Sequence, residues 1–225
     1  MDLVTDINSK VEPSAGIAFV PEIGKKIPIT FNYTKHSRAR GLRKMEIESF
    51  YKTLIGEIKN LKVGTKVDVG CGEGYTLDRI IKEKIGKNYI GIDNSPTAIN
   101  LGKELFPGVN LQVADIYQLS LADNSSDLVI CTEVLEHLDN PFVALKEIIR
   151  VSKKYLVLSV PNEPFFSLRN ILRGKHLVRL GNTPGHVNQW TSSAFKKLLI
   201  QNQLRILKIK HPFPFTLVAA EKTLS

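Results

Sequence analysis

The sequence predicts an α/β fold in which helices cover both faces of a mostly parallel sheet. From Lys66 onward, short apolar runs alternate with amphipathic segments at the spacing of βαβ units. Apolar residues make up 43% of the 225-residue chain, which is enough to cover both faces of such a sheet in one large domain. The last two β-prone runs, 204–210 and 216–220, are separated by a proline-containing stretch too short for a helical crossover. We therefore expect these two strands to be antiparallel.

The first part of the chain differs from the rest. Residues 1–37 contain several prolines and glycines and no sustained period, which predicts a loose arm. A helix is expected from about Arg38 to Leu61, because apolar residues recur on one face between Ile47 and Ile58. We divide the chain into this arm, 1–37, and one folded domain, 38–225.

The spacing of apolar residues and the positions of helix-starting residues predict the strands and helices of the domain in order. Lys66 to Val69 and Tyr89 to Ile92 are buried strands, and a third strand covers 110–113. A helix begins at Tyr75, where the apolar period changes from that of a strand to that of a helix. Ser95-Pro96 and Asn140-Pro141 are typical of an N-cap followed by proline at the first helical position, so each begins a further helix.

A glycine-rich turn joins the first of these strands to its helix. Residues 67–74 are Val-Asp-Val-Gly-Cys-Gly-Glu-Gly. Glycines let the backbone turn sharply and approach a ligand that a Cβ would keep away, and the amides of the following helix face that ligand. Asp93 ends the next strand, where its carboxylate can accept hydrogen bonds from ribose hydroxyls. The pattern predicts a nucleotide-cofactor site.

Three cofactors are compatible with a turn of this kind. A phosphate-binding P-loop ends in Gly-Lys-Ser/Thr, which this turn lacks. A dinucleotide fold has the spacing G-x-G-x-x-G, whereas here Tyr75 stands in place of the last glycine. S-adenosylmethionine carries no pyrophosphate and depends on close backbone approach, so the spacing G-x-G-x-G favours it.

At this point the sequence resembles a known family, the class I S-adenosylmethionine-dependent methyltransferases. Asp115-Ile116 stands after the third strand, and residues 127–137, Asp-Leu-Val-Ile-Cys-Thr-Glu-Val-Leu-Glu-His, are similar to the family's fourth strand and following turn. Residues 158–162 are similar to its fifth strand, and residues 185–190 to the loop before its last helix. The resemblance covers roughly residues 40–222. It implies a three-layer, doubly wound, seven-stranded sheet, mostly parallel with an antiparallel C-terminal strand.

The resemblance also implies roles for individual residues. Asp68 and the backbone of 70–74 would hold the methionine end of S-adenosylmethionine, Asp93 the ribose, and Asp115 with Ile116 the adenine. The complete cofactor-binding set that we predict is Asp68, Gly70, Cys71, Gly72, Gly74, Asp93, Asn94, Asp115, Ile116 and Thr132. The product would be S-adenosylhomocysteine. Methyl transfer from a sulfonium chiefly needs alignment of donor and acceptor, so few residues need do covalent work.

The acceptor is expected to be a small molecule that is methylated at a hydroxyl, as in the quinone-biosynthesis-type O-methyltransferases that the sequence resembles. A general base would then be needed, and His137 and His186 have the appropriate pKa range. Glu133 and Glu136 would orient the same turn. Each of these side chains has a plain structural alternative, in which it only holds a loop. We expect the acceptor between residues 133–137 and the loop 162–190.

Two further hypotheses stay open at this point. Glu133, Glu136, His137 and His186 resemble the metal-ligand set of small-RNA 3′-terminal ribose 2′-O-methyltransferases, yet the same turn occurs in metal-free relatives, and we predict no metal. Gly185 and Val187 also stand where that RNA family places an acid and an arginine. A non-catalytic regulator that binds S-adenosylmethionine is the other alternative. Methylation of nucleic-acid bases is disfavoured, because Thr132-Glu133-Val134-Leu135 replaces the Asn/Asp-Pro-Pro-aromatic motif of those enzymes.

Composition restricts partners and location. The net charge is +9, and Lys and Arg outnumber Asp and Glu by 14 to 3 in residues 141–225. Such a face attracts an anionic acceptor, nucleic acid or an acidic membrane, although a plain solvated surface has the same composition. No apolar run is long enough for a membrane span, and no signal peptide is evident, so we expect a cytoplasmic protein. The two cysteines, Cys71 and Cys131, are expected to be reduced.

Overall fold

The structure is a computed structural model that describes residues 16–61 and 63–223. Its main sheet contains seven strands. In chain order these strands are β3 (Lys66–Val69), β4 (Tyr89–Asp93), β5 (Leu111–Val113), β6 (Ser126–Thr132), β7 (Ser152–Pro161), β8 (Leu204–Lys210) and β9 (Phe215–Lys222). A separate hairpin is formed by β1 (Ile17–Val20) and β2 (Lys25–Pro28).

The strand order in the main sheet is β5-β4-β3-β6-β7-β9-β8. Strands β3 to β7 pair in parallel, and β9 is antiparallel to both of its neighbours, β7 and β8. The predicted sheet is therefore confirmed, including its reversed last strand. Because β3, β4, β6 and β7 run in the same direction, their carboxyl ends meet at one edge of the sheet, where α/β folds bind ligands.

Helices lie on both faces of the sheet and complete the three layers. The helices are α1 (Phe31–Ser37), α2 (Gly41–Lys59), α3 (Tyr75–Lys82), α4 (Pro96–Leu105), α5 (Pro141–Val151), α6 (Phe165–Leu172) and α7 (Ser192–Gln201), with short 3-10 helices at Leu135–His137 and Leu177–Arg179. One core cluster joins the apolar faces of α2 and α3 to the sheet. The other joins α5 and α7 to the opposite face. Among the described residues, no helix has the combined length and hydropathy that crossing a membrane requires.

The expected starts of α4 and α5 agree with the structure in position. Ser95 accepts a hydrogen bond from the Ala98 amide at 3.2 Å, so it caps α4 as predicted. Asn140 precedes α5, but its side chain makes no capping hydrogen bond. In both helices proline occupies the first turn, where the missing N–H removes no helical hydrogen bond.

The prediction of a loose arm at residues 1–37 is wrong for residues 17–37. These residues form the hairpin β1–β2 and the helix α1, and Val20, Ile29 and Tyr33 bury apolar surface against Leu101 of α4. Two four-residue strands and a seven-residue helix are too short to show an apolar period, so the sequence gives no signal for them. Residues 1–15 lie outside the described part of the chain.

Candidate active site

The glycine turn lies at the carboxyl end of β3 and is tied to β4. The amides of Gly70 and Cys71 both donate to the carbonyl of Ile92, at 2.7 and 3.0 Å. Gly70 has a φ of 74°, and a Cβ at this position would lie 2.3 Å from a methyl carbon of Val134. Glycine is therefore required at residue 70 for both conformation and space.

Asp93 lies beside this turn at the end of β4. Its two carboxylate oxygens accept hydrogen bonds from the amides of Gly72, at 2.8 Å, and Ser95, at 2.9 Å. The bonds fix the orientation of the carboxylate, and each oxygen keeps a lone pair for a further donor. Burial raises the pKa of Asp93, and the amide hydrogen bonds oppose that rise.

Asp68 is the buried acid of the turn. Its side chain is 1% exposed, and Oδ2 has no hydrogen-bond partner among the described residues. Burial, and then the negative charge of Asp93, raise the pKa of Asp68 to about 7. A buried carboxylate oxygen without a partner is costly, so it is suited to accept a hydrogen bond from a cationic ligand group.

The other predicted cofactor residues follow neighbouring strands of the same edge. Asn94 is exposed directly after Asp93, and Thr132 is half-buried at the end of β6. Asp115 is exposed and accepts a hydrogen bond from the Tyr117 amide at 2.9 Å. Ile116 is 8% exposed and packs in the core, so its contact with adenine remains a prediction. Cys71 and Gly74 complete the turn, the first buried and the second directly before α3.

The turn after β6 carries two acids, of which Glu133 is half-buried and Glu136 is buried. Glu133 has a φ of 59°, and its Oε1 accepts a hydrogen bond from the Ser159 hydroxyl at 2.9 Å. Glu136 is 1% exposed, and neither of its carboxylate oxygens has a hydrogen-bond partner among the described residues. Burial raises the pKa of Glu133 to about 7, and burial with the charge of Glu133 raises the pKa of Glu136 well above its ordinary value. Such shifted carboxyls are typical of functional sites.

The two predicted histidines face each other beside these acids. Their ring centroids lie 4.8 Å apart. His137 Nδ1 lies 3.0 Å from the carbonyl oxygen of Gly185, and because a carbonyl only accepts, the proton must be on Nδ1. In the neutral ring Nε2 is then a free base, and it lies 3.9 Å from Glu136 Oε1. Burial and the neighbouring His137 lower the pKa of His186 to about 4, so His186 is neutral near pH 7.

The loop 185–188 holds residues 133–137, which we call the acid-histidine turn, in place. The amides of Val187 and Asn188 both donate to the carbonyl of Glu136, at 2.9 and 3.1 Å. The side-chain amide of Asn188 donates to the carbonyls of Leu135 and Leu138 at 3.2 and 2.6 Å. Asn188 is thus a positioning residue that had no separate signal in the sequence beyond its place in the predicted loop.

Helix α1 supplies residues to the site that the sequence did not reveal. The side chains of Thr30 and Asn32 donate to the carboxylate of Glu73 in the glycine turn. The positive charge of Lys35 acts on Glu133 and Glu136 and lowers the pKa of each, against the effect of burial. His36 stacks on Tyr75 at 4.0 Å between ring centroids. Helix α1 therefore spans from the glycine turn to the acid-histidine turn.

The acid-histidine turn also has the donors for a cation. Ligand atoms of Glu136, His137 and His186 all lie within 4.8 Å of one another. One carboxylate and two imidazoles form a donor set that divalent transition metals accept. The metal hypothesis from the sequence has four ligands, but only three of them lie together in the structure. The fourth, Glu133, is hydrogen-bonded to Ser159 and lies outside the group.

Comparison with known proteins agrees with this arrangement. Residues 67–158 match the family model Methyltransf_11, described as a methyltransferase domain. A probable S-adenosylmethionine-dependent methyltransferase of Mycobacterium tuberculosis is 33% identical over 103 residues, which cover 45% of this chain and 37% of that protein. The ubiquinone biosynthesis O-methyltransferase of Coxiella burnetii is 27% identical over 166 residues, 65% of this chain and 69% of that one. The chain thus spans under two fifths of the Mycobacterium relative.

Solved structures share the fold at low sequence identity. A methyltransferase from Aquifex aeolicus superposes with a TM-score of 0.60 at 17% identity, over 77% of this chain and 89% of that chain. The small RNA methyltransferase HEN1 superposes with a TM-score of 0.68 at 19% identity, over 84% of this chain and 26% of that one. The family and fold imply S-adenosylmethionine as cofactor. Residues 67–158 therefore match the methyltransferase-domain family model, and the chain has the fold of the class I S-adenosylmethionine-dependent methyltransferases.

Proposed function

We propose that the protein transfers a methyl group from S-adenosylmethionine to a hydroxyl of a small-molecule acceptor. The observation that carries the proposal is the position of His137 Nε2, which bears no proton in the neutral ring. It lies at the same sheet edge as the glycine turn and Asp93. The ubiquinone biosynthesis O-methyltransferase among its relatives supports an acceptor of this type. A cytoplasmic location and a catalytic domain of residues 38–225 belong to the same proposal. Helix α1, which precedes that domain, adds contacts to its site.

The residues present fit S-adenosylmethionine. Oδ2 of Asp68, which has no hydrogen-bond partner in the part of the chain that the structure describes, can accept a hydrogen bond from the ammonium group of the methionine end. Gly70, Gly72 and Gly74 leave the turn free of Cβ atoms at those positions. The fixed carboxylate of Asp93 can accept from two ribose hydroxyls. The cofactor would supply a methyl group that its sulfonium already activates.

The contribution of the protein is then alignment and removal of one proton. His137 Nε2 accepts the proton of the acceptor hydroxyl, and the bond from Nδ1 to the Gly185 carbonyl keeps the ring in the required tautomer. Glu136 Oε1 lies 3.9 Å from Nε2, so an ionised Glu136 carboxyl stabilises the imidazolium that forms, and that cation in turn favours the ionised carboxyl. The positive charge of Lys35 on α1 acts on Glu136 in the same site and favours its ionised form.

A second function is favoured by one specific observation. The buried carboxylate of Glu136 and the two histidines could bind Mg²⁺ or Mn²⁺, which would hold the vicinal diol of an RNA 3′ end. The absence of Glu133 from the donor group counts against it. The third hypothesis, a regulator, requires cofactor binding without turnover.

A transfer assay separates the three hypotheses. Purified protein is incubated with methyl-labelled S-adenosylmethionine and either a panel of catechols and hydroquinones or a short RNA with a free 3′ ribose, in Mn²⁺ and in EDTA. Label transferred to a small molecule in EDTA supports the proposal. Label transferred only to RNA and only with Mn²⁺ supports the metal-dependent enzyme, and cofactor binding without transfer to any acceptor supports the regulator.

A further inference from the structure

One surface of the molecule combines exposed apolar side chains with the exposed cations Lys175 and Arg179. It is formed by α6, the 3-10 helix Leu177–Arg179 and their connection, and we call it the α6 face. Its exposed apolar members are Phe165, Leu168, Leu172, Leu177, Val178 and Leu180. Leu172 and Leu180 are each 79% exposed, and Val178 is fully exposed. An apolar surface of this extent normally marks an interaction site.

The helix presents two different faces. Phe165, Leu168 and Leu172 follow the spacing i, i+3, i+7 and point outward together. Asn170 is buried on the opposite side, where its amide donates to the carbonyl of Gly181 at 2.9 Å. The aliphatic side chains are therefore exposed because of how the helix is held, and not because the segment lacks structure.

Further contacts hold this arrangement in place. Glu163 accepts hydrogen bonds from the amide and the hydroxyl of Ser167 in the first turn of α6, at 3.1 and 2.9 Å. Arg169 and Arg173 both form ion pairs with Glu46 of α2. A Cβ on Gly181 would lie 2.1 Å from the carbonyl oxygen of Ser167, so the returning chain packs directly on the helix.

The charge of the surrounding sequence is of one sign. Residues 164–220 contain nine Lys and Arg residues and no Asp or Glu. Within the α6 face, Lys175 and Arg179 are exposed beside the aliphatic side chains. Basic residues next to apolar ones are the combination that binds the interface of an anionic bilayer, because lipid headgroups attract the cations and the acyl boundary accepts the aliphatic groups.

We propose that the α6 face docks the protein on the surface of a membrane that contains anionic lipids. A second copy of the chain is a poor occupant, because a symmetric contact would place the same cations against each other. Nucleic acid would match the charge, but its phosphates and sugars offer no apolar surface for Leu172 and Val178. Of these three occupants, only the bilayer uses both properties of the face.

The α6 face lies on the same helix that contacts the site, so docking would bring the site close to the membrane. Phe166, on the inner side of α6, lies 5.3 Å from the ring of His186 between centroids. A protein docked through the outer side of α6 would hold its histidines about one helix diameter, roughly 10 Å, from the lipid interface. Acceptors that dissolve in the membrane would then be presented next to the site. Docking itself does not depend on the proposed methyl transfer and is measured without cofactor.

The test is cosedimentation with large vesicles of phosphatidylcholine alone or mixed with phosphatidylglycerol. The full chain should bind the anionic vesicles and not the neutral ones, and binding should weaken as salt is raised. The double variant L172Q/V178Q should bind at least tenfold more weakly. K175Q/R179Q should lose about fivefold per charge removed. Matched controls are I200Q, which changes an exposed aliphatic residue on α7, and K196Q/K197Q. All variants change surface side chains and should keep the wild-type melting temperature.

Several results would overturn docking. They are no binding to anionic vesicles at low salt, or binding that L172Q/V178Q leaves unchanged. Single-stranded RNA binding that K175Q/R179Q abolishes and L172Q/V178Q does not would assign the face to nucleic acid. A dimer in the wild type that L172Q/V178Q converts to a monomer, without vesicle binding, would assign it to a second copy.

Discussion

At the scale of single residues, the site contains ionisable groups held in surroundings that disfavour their charge. Asp68 and Glu136 are each 1% exposed, and each has a carboxylate oxygen without a partner among the described residues. Groups of this kind lower stability, so their presence at one sheet edge is better explained by ligand binding or catalysis than by folding.

The raised pKa of Glu133 predicts how the free energy of unfolding changes with pH. Its pKa is about 7 in the folded protein, mainly through burial, against an ordinary value of 4.5. The folded state therefore holds a proton between pH 4.5 and 7 that the unfolded state loses, and the contribution of this group to stability is lost as pH rises through 7. Relative to wild type, Glu133→Gln should gain about 1–3 kcal/mol in free energy of unfolding between pH 5 and pH 8.

Urea unfolding of the two proteins at both pH values measures this difference. The half-buried His36 and His186 have lowered pKa values and titrate with the opposite sign, but they are present in both proteins. The charge of Glu133 also raises the pKa of Glu136, so its removal changes the pH dependence in the same direction. The surface variant Glu104→Gln, which only removes a pairing with Lys25, is the control and should show no such change. A constant difference between wild type and Glu133→Gln would contradict the raised pKa.

The proposed role of His137 predicts that its replacement lowers the rate of methyl transfer without weakening cofactor binding. Replacing it by Gln removes the base at Nε2 and should lower kcat about a hundredfold or more with an accepted small-molecule substrate. The affinity for S-adenosylhomocysteine should stay unchanged, because no predicted cofactor contact is lost. His211→Gln changes an exposed histidine that contacts Ser192 and serves as control. Equal losses of kcat and of cofactor affinity would show that His137 is structural.

At the scale of elements, most helices and strands could be predicted from the sequence, but helix α1 could not. Helices α2 and α3 and most strands of the main sheet were predicted from their apolar patterns. Helices α4 and α5 were predicted from Ser95-Pro96 and Asn140-Pro141, and β6 and β7 from the resemblance to the family. Helix α1 has seven residues and one buried side chain, Tyr33, so no period exists to detect. Its contacts to the site arise from tertiary structure, through Glu73 and Lys35, and are not encoded in local pattern.

Thr30 tests whether α1 is held as the structure indicates. The Thr30 hydroxyl caps α1 by accepting from the Tyr33 amide at 2.9 Å, and it also donates to Glu73. Thr30→Ala should destabilise α1 by about 0.5–2 kcal/mol and speed hydrogen exchange of residues 31–37. Thr53→Ala, which removes a hydroxyl bonded to the Ser49 carbonyl on the exposed side of α2, is the matched control. Unchanged exchange in α1 would contradict this account of the cap.

At the scale of the whole molecule, the parallel order of strands determines where chemistry occurs. The carboxyl ends of β3, β4, β6 and β7 bring the glycine turn, Asp93 and the acid-histidine turn to one edge, although 20 to 70 residues separate them in the chain. Motif order along the sequence was enough to predict this edge. The exposed aliphatic side of α6 was not predicted, because a surface helix and a buried one share the same apolar period.

The central claim is that the glycine turn and Asp93 bind S-adenosylmethionine. Its most direct test is calorimetric titration of wild type, Asp93→Ala and the surface control Asp123→Ala with S-adenosylhomocysteine. Wild type and Asp123→Ala should bind with equal affinity. Asp93→Ala should bind roughly ten- to a hundredfold more weakly, since it loses charge-assisted hydrogen bonds to the ribose. Absence of binding by wild type, or equal affinity of wild type and Asp93→Ala, would contradict the account.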